Sequence, residues 1–344
     1  MTRATHLLLS VLALTAGACS STCSSDSERR EGTSDAASDA STSGVEVLDP
    51  GRTPRVTLRV NRWRGQRYGT KLVAESTLGA LGAAPVKLPT LEMELRAQVL
   101  RGSADPQIHP SQDGEKLRLV EEQLEVRSLR YSGAHIPAPL LTEGNSALAL
   151  LVGTTARQLL TEDAEVHALS VDLVGGERPS QTVKQAVDEA WDAQRHFPLR
   201  LPPMPVGVGA RWRFVETLDL HGVRLLQVAD ASLVGVRPKS VSLRLRIKQH
   251  APRQKIPHPM DPKRSALLEI FRGDGEGELT LDRVTAVTLE GRLTTTAHLS
   301  LSSEGPTGRE KLSLVSVNTI RSKGELQADA PSPGTDAVPE GAPE

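Results

Sequence analysis

Cysteine is almost missing from this chain: of 344 residues only Cys19 and Cys23 carry a thiol, and both lie near the N-terminus. Disulfides therefore cannot hold a folded body together, and burial must do so. A Cys19–Cys23 bridge would close a short loop and staple nothing. Aromatic residues are also scarce, at 2% of the chain, so the core has to be built from Leu, Val and Ala. Long apolar runs are absent too, since no stretch approaches the ~20 consecutive apolar residues of a membrane-spanning helix. The motifs H-x-x-x-H, H-E-x-x-H, G-x-S-x-G and S-x-x-K do not occur. That removes the sequence-readable forms of zinc peptidase and serine hydrolase, although a Ser/His/Asp site assembled through space leaves no such trace.

Formal net charge is −1, which conceals an uneven distribution. Residues 19–52 carry seven acids and three arginines, and residues 327–344 carry four acids and no base. With these and Arg3 set aside, 37 basic and 31 acidic side chains remain in the body. Such a mild excess suits solubility first and an anionic partner second, and it is too small and scattered for nucleic acid.

The N-terminus reads as an address. Met1–His6 supplies a short start with Arg3, and Leu7–Leu14 (LLLSVLAL) has the length of a signal-peptide apolar core. It ends in Ala16-Gly17-Ala18-Cys19. Ordinary signal peptidase accepts this small-x-small end, and the same four residues resemble a bacterial lipobox with Ala16 where Leu is usual. Both readings cut after Ala18. We expect lipid on Cys19, because the next stretch has the composition of a tether. Residues 20–52 are rich in Ser, Asp, Ala and Thr and lack the apolar surface to offset ordering. Ser20 and Ser21 do not resemble the acidic residue that retains lipoproteins at the inner membrane, so an outer-membrane lipoprotein facing the periplasm is expected. Acyl chains, at ~0.8 kcal/mol per buried CH2, anchor without a spanning helix. The tail 327–344 is expected to be disordered on the same compositional grounds.

Between these ends the dominant signal is alternation with period two. Leu91, Met93, Leu95, Ala97 and Val99 alternate with polar residues, as do Val56, Leu58 and Val60, and Val241, Leu243, Leu245 and Ile247. The longest such run places Val287, Leu289, Gly291, Leu293, Thr295, Ala297, Leu299 and Leu301 on one face, with Gly291 suggesting a bulge or bend. Strands with one dry and one wet face belong to antiparallel sheets. Turns are expected at Arg64-Gly65-Gln66, Asp113-Gly114, Thr161-Glu162-Asp163, His221-Gly222, Arg237-Pro238-Lys239 and Gly305-Pro306. Two helices are expected, one around Thr142–Val152 and one over Ser180–Arg195, where Val183, Val187 and Trp191 recur at helical spacing. Helix must stop at Leu201-Pro202-Pro203-Met204-Pro205.

The expected fold is therefore mainly β: two antiparallel β-sheet lobes joined by a helix and a proline-rich segment. The expected segments are signal peptide 1–18, lipid attachment and linker 19–53, first lobe 54–176, connector 177–205, second lobe 206–326 and tail 327–344.

Phe197-Pro198 and Pro205-Val206-Gly207-Val208-Gly209-Ala210-Arg211-Trp212 resemble a motif of an uncharacterised family of bacterial exported lipoproteins, in which a proline-rich entry leads into a V-G-x-G-x-x-W turn. Gly273-Asp274-Gly275-Glu276-Gly277, continuing into Leu279-Thr280-Leu281-Asp282, is similar to that family's later G-x-G strand, and Leu148–Gly153 to its mid-chain apolar-Gly step. The resemblance covers residues 50–325. It implies a β-rich fold and an exported location, and it brings no activity and no functional residues.

Candidate chemistry is thin. Gly207-x-Gly209-x-x-Trp212 lacks the third glycine of a dinucleotide site and reads as a turn into a strand. Asp274, Glu276 and Glu278 offer oxygens that calcium could use, but alternating acids are more simply the wet face of a strand. His250 and His258, with Asp261 nearby, bracket a basic, proline-rich loop, read as a solvated excursion or a contact for an anionic surface. Trp63, Trp191 and Trp212 read as core or lobe-junction packing rather than a ligand platform. No catalytic residues, cofactor or metal are expected. The sequence points to a non-enzymatic, lipid-anchored envelope protein that binds or scaffolds an envelope component. A β-groove carrying a hydrophobic ligand is one version, and an envelope hydrolase is the alternative from another class.

Overall fold

The computed structural model describes residues 44–80, 82–110, 116–172, 199–220, 223–258, 261–305 and 308–327. Cys19, the signal segment, the expected helix Ser180–Arg195 with Trp191, Asp113-Gly114 and the C-terminal tail lie outside these residues.

The expectation of mainly antiparallel β structure holds, and the described residues form fifteen strands and one helix. In the first half these are β1 (Val45–Asp49), β2 (Arg67–Ala80), β3 (Val86–Lys87), β4 (Thr90–Arg101), β5 (Gln107–Pro110), β6 (Lys116–Ser132), α1 (Ala138–Ala149), β7 (Thr155–Leu160) and β8 (Val166–Asp172). The second half holds β9 (Arg211–Leu220), β10 (Val223–Val236), β11 (Ser240–Ala251), β12 (Gln254–His258), β13 (Asp261–Asp282), β14 (Thr288–Gly305) and β15 (Gly308–Leu326).

The sheet order is β1-β9-β10-β11-β13-β14-β15-β2-β4-β6-β7-β8, with β12, β3 and β5 paired to the sides of β13, β2 and β6. Most neighbours are successive hairpins, and two joins are not. β1 pairs with β9 at one edge, and β15 pairs with β2 in the middle, from Leu314↔Ala80 to Leu326↔Tyr68. The two halves expected as separate lobes thus share one continuous sheet, which is open rather than a closed barrel.

Strong coiling is evident from the packing. β9 and β7 stand nine places apart in the sheet, which would separate them by ~43 Å in a flat sheet at about 4.8 Å per strand. Yet Trp212 and Phe214 of β9 belong to one buried cluster with Val99 of β4, Val120 of β6 and Leu160 of β7. The ends of the sheet therefore curl towards each other, and their dry faces fill the interior with Leu, Val and Ala, as the shortage of aromatics requires. On its inner face β13 carries Gly273, Gly275 and Gly277, where neighbouring strands leave little room for a side chain. A Cβ on Gly275 would stand 2.8 Å from Thr295 Cγ2 on β14.

Two irregular segments fill the space between the sheet ends. The expected strand at Val56–Val60 is one of them. Leu58 and Val60 are buried as the alternation required, but the backbone makes no ladder. Val56 exchanges hydrogen bonds with Val206, while Val60 N–H donates to Glu162 O at 2.9 Å. The segment crosses between two partners, so it cannot pair continuously with either. Its companion, residues 199–210, includes the proline run and is non-helical as expected. Leu201 N–H donates to Asp163 O at 2.8 Å.

Gly207 lies against the start of the crossing segment. A Cβ there would lie 1.6 Å from Arg52 O, and Gly209 comes next but one at φ +89°. Gly207→Ala should destabilise by at least about 2 kcal/mol, read as a lower urea midpoint, whereas the exposed neighbour change Val208→Ala should stay within about 0.5 kcal/mol. An unchanged midpoint for Gly207→Ala would show that this contact does not constrain the fold.

Other boundaries differ from expectation in instructive ways. β1 lies inside the stretch expected as linker, so the β body extends N-terminal of Pro54. Val45 and Val47 alternate with Glu46 and Leu48, a signal hidden by the polar run before it. The helix expected around Thr142–Val152 runs Ala138–Ala149. It docks on β6 through Asn145, whose side chain accepts from Tyr131 N–H at 2.6 Å and donates to Tyr131 O at 3.1 Å. The bulge expected at Gly291 falls at Leu289, where the β13–β14 register shifts. The loop between His250 and His258 contains β12, which pairs with β13 rather than standing free.

Candidate functional site

Among the described residues, polar side chains gather both inside the sheet and on its outer face. The inner group continues the crossing segment. Leu58 and Val60 point inward, and two residues on so does Arg62, at 7% exposure. The same parity on β6 takes Val120, Glu122, Leu124 and Val126 inward, so Glu122 is wholly buried.

Arg62 and Glu122 form an ion pair through Nη1 and Oε1. Tyr68 of β2 donates to Glu122 Oε2 at 2.8 Å, Gln158 of β7 donates to the same oxygen at 2.9 Å, and Arg62 Nη1 reaches Tyr68 Oη at 3.0 Å. Arg62 Nε donates to Thr285 O at 3.1 Å, in the turn between β13 and β14. Burial works against the Arg62 charge, but the Glu122 carboxylate and its hydrogen bond more than offset this, and the guanidinium pKa is raised. Burial likewise pushes the Tyr68 phenol up and keeps it protonated as a donor.

These groups could exchange protons, but Glu122 offers no surface to a substrate. What the cluster does is mechanical. It ties the crossing segment, β2, β6, β7 and a turn of the second half to one point. Sequence reasoning missed it, although a charge at an inward position of an alternating strand was its signal.

A second tie stands nearby. Arg200, nearly buried, bonds Asp163 Oδ2 at 2.5 Å and Glu165 Oε2 at 2.8 Å in the β7–β8 region, while its carbonyl accepts from Trp212 Nε1 at 2.7 Å. Burial pushes the Glu165 carboxyl up, and the Arg200 charge opposes that shift. Trp212 is fully buried and Trp63 half-buried, consistent with packing roles.

The outer place is a groove of about 310 Å³ on the wet faces of β9, β10 and β11. Its floor belongs to β10. Asp230 stands between Arg213 of β9 and Arg246 of β11, and Ser232 stands between Arg211 of β9 and Arg244 of β11. Four guanidinium groups thus surround one carboxylate and one hydroxyl, and Leu48 of the edge strand β1, 42% exposed, forms a wall.

The arginines differ in commitment. Arg213 grips Asp230 with both ends of its fork, at 2.7 and 3.1 Å, which raises its pKa above the ordinary value. Arg246 and Arg244 have only long, exposed contacts, to Glu276 at 3.6 Å and Glu278 at 3.5 Å on β13. Such pairs contribute roughly 0–1 kcal/mol and are easily exchanged. Arg211 makes no ion pair among the described residues. The acids considered as calcium ligands thus lie on the wet face of β13, with Glu276 and Glu278 beside arginines.

No family model matches the sequence, and no curated protein does. Among solved structures the chain is similar to DynF from the dynemicin biosynthesis pathway of Micromonospora chersina, at 10% identity over 85% of this chain and 95% of that one, with a TM-score of 0.20. It is also similar to an outer-membrane channel from Pseudomonas putida F1, at 9% identity over 76% of this chain and 97% of that one, with a TM-score of 0.23. Likenesses this distant carry no argument about function, so the groove has to be read from its own residues.

Proposed function

We propose that this chain is a non-enzymatic envelope protein, tethered to a membrane by lipid on Cys19, whose body binds an anionic component in the groove of β9–β11. The observation that carries the reading is the placement of four arginines around a single lining carboxylate. Arginine is suited to the task, because its planar fork stays charged and matches oxyanions in two-point contacts. Glu46, Glu276 and Glu278 stand close outside the arginines, so the field favours a compact anionic group over a long polyanion such as nucleic acid. At about 310 Å³ the groove lies at the small end of ligand sites, which run from about 300 to 1,000 Å³. The described apolar side chains of the dry face pack against one another in three clusters.

The test is titration calorimetry on full-length protein in detergent, at low salt, with pyrophosphate, sulfate and citrate. At least one should bind with a submillimolar Kd, and the Arg211→Ala/Arg244→Ala variant should weaken it tenfold or more. Both residues are exposed, so the variant should keep the wild-type melting temperature. Binding that ignores these arginines would remove the reading. Anchoring is tested separately by intact mass: a membrane-extracted chain should start at Cys19 and carry acyl mass, and an unmodified soluble chain would remove the tether.

A further inference from the structure

Resting on that reading, we infer that the anionic group is a phosphoryl group, held between Arg211 and Arg244 over the Ser232 hydroxyl. Strand register sets up the arrangement. Ser232 pairs with Arg211 on one side and Arg244 on the other, so the two arginines flank a small residue at the same level of the sheet. Their strands stand ~10 Å apart across β10, close enough for both forks to converge above it. The short serine side chain leaves that space open.

Both arginines can turn inward at little cost. Arg211 has no ion pair to break among the described residues, and the 3.5 Å contact of Arg244 with Glu278 is solvent-exposed on both sides. Among the described residues Ser232 Oγ donates only to Arg244 O, at 3.4 Å, a long bond that it can exchange for another acceptor. Arg213, in contrast, is held by Asp230 and serves as a fixed background charge.

The geometry selects by oxyanion shape. A planar carboxylate holds its two oxygens and their lone pairs in one plane, so a fork on each side and a hydroxyl below that plane cannot all be met well together. A tetrahedral phosphate ester has terminal oxygens directed to both sides and downward, which matches two forks and a floor hydroxyl together. It also carries more charge than a sulfate ester near neutral pH, because its second ionisation falls at about 6. The groove is larger than a phosphate alone, so the remainder of an ester or headgroup has room, with Leu48 beside it. A phosphorylated lipid headgroup and a soluble phosphate ester present the same chemistry.

The experiment compares glycerol 3-phosphate, glycerate and methyl sulfate on the full-length protein by titration calorimetry. It adds flotation of the protein with phosphatidylcholine vesicles containing or lacking phosphatidic acid. Glycerol 3-phosphate should bind at least tenfold more tightly than glycerate or methyl sulfate. Arg244→Lys, which keeps charge and loses the fork, should weaken it about tenfold, and Ser232→Ala severalfold, both at unchanged melting temperature. If glycerate and methyl sulfate bind as well, with dependence on Arg211 and Arg244, the phosphoryl inference fails while the anion-binding function stands. If none of the three, and none of pyrophosphate, sulfate and citrate, binds through these arginines, both fail. Extra flotation with phosphatidic acid that Arg244→Lys abolishes assigns a lipid source. Response to glycerol 3-phosphate alone assigns a soluble one.

Discussion

Glu122→Ala should be among the most damaging single changes in the body, lowering stability by about 3–5 kcal/mol. The reason is what remains. Arg62 would keep its buried charge with its carboxylate partner gone, and Tyr68 and Gln158 would both lose the acceptor they share. At roughly 2–4 °C per kcal/mol for a body of this size, the melt followed by circular dichroism should fall by about 10 °C. The paired change Arg62→Met/Glu122→Leu removes both charges and should restore much of the loss, because a buried ion pair is weak evidence of net stabilisation. A double variant as unstable as Glu122→Ala would mean that the bonds to Thr285 O and Tyr68, rather than charge balance, hold this point.

Trp212→Ala should cost about 3–5 kcal/mol by a different route. Its side chain is fully buried in the cluster that both ends of the sheet share. Truncation leaves a cavity there and strands the Arg200 carbonyl. Trp212→Phe separates the two effects, since it keeps most of the packing and loses the hydrogen bond, for about 1 kcal/mol net. Hydrogen exchange should report the difference. In Trp212→Ala, amides of residues 199–206 and of the β7–β8 turn should open together, because Arg200 links them. If only β9 loses protection, the segment is held by its own contacts.

The strands were legible in the sequence because alternation is a local property. Leu91–Val99, Val241–Ile247 and Val287–Leu301 each announce a dry face, and each forms one. Partnership across the sheet left no such trace. Nothing in Tyr68–Ala80 or Leu314–Leu326 states that these stretches pair, so the halves read as two lobes. Val56–Val60 carries the same alternation as a strand because burial imposes it, while its hydrogen bonds go to two unrelated partners. The Arg62–Glu122 point could have been found as charges on inward parity. The groove could not, because Arg244 and Arg246 read as the ordinary wet face of a strand. Their meaning depends on Arg211 and Ser232 standing level with them, which is a matter of register.

The join of β2 to β15 also fixes when the body can form. Glu75 and Arg321, an ion pair across that join, are 246 residues apart in the chain. β15 is the last strand of the sheet, and it stands in the middle. Until it is in place, β2 and β14 each present a long row of unpaired backbone groups, the kind of edge on which chains aggregate. A chain emerging N-terminus first can build hairpins on either side of the gap and pair β1 with β9, but the gap between β2 and β14 cannot close before β15 emerges. For a protein that folds in this order, the vulnerable interval lasts almost as long as its own delivery, and a holding factor that covers open strand edges would matter most then.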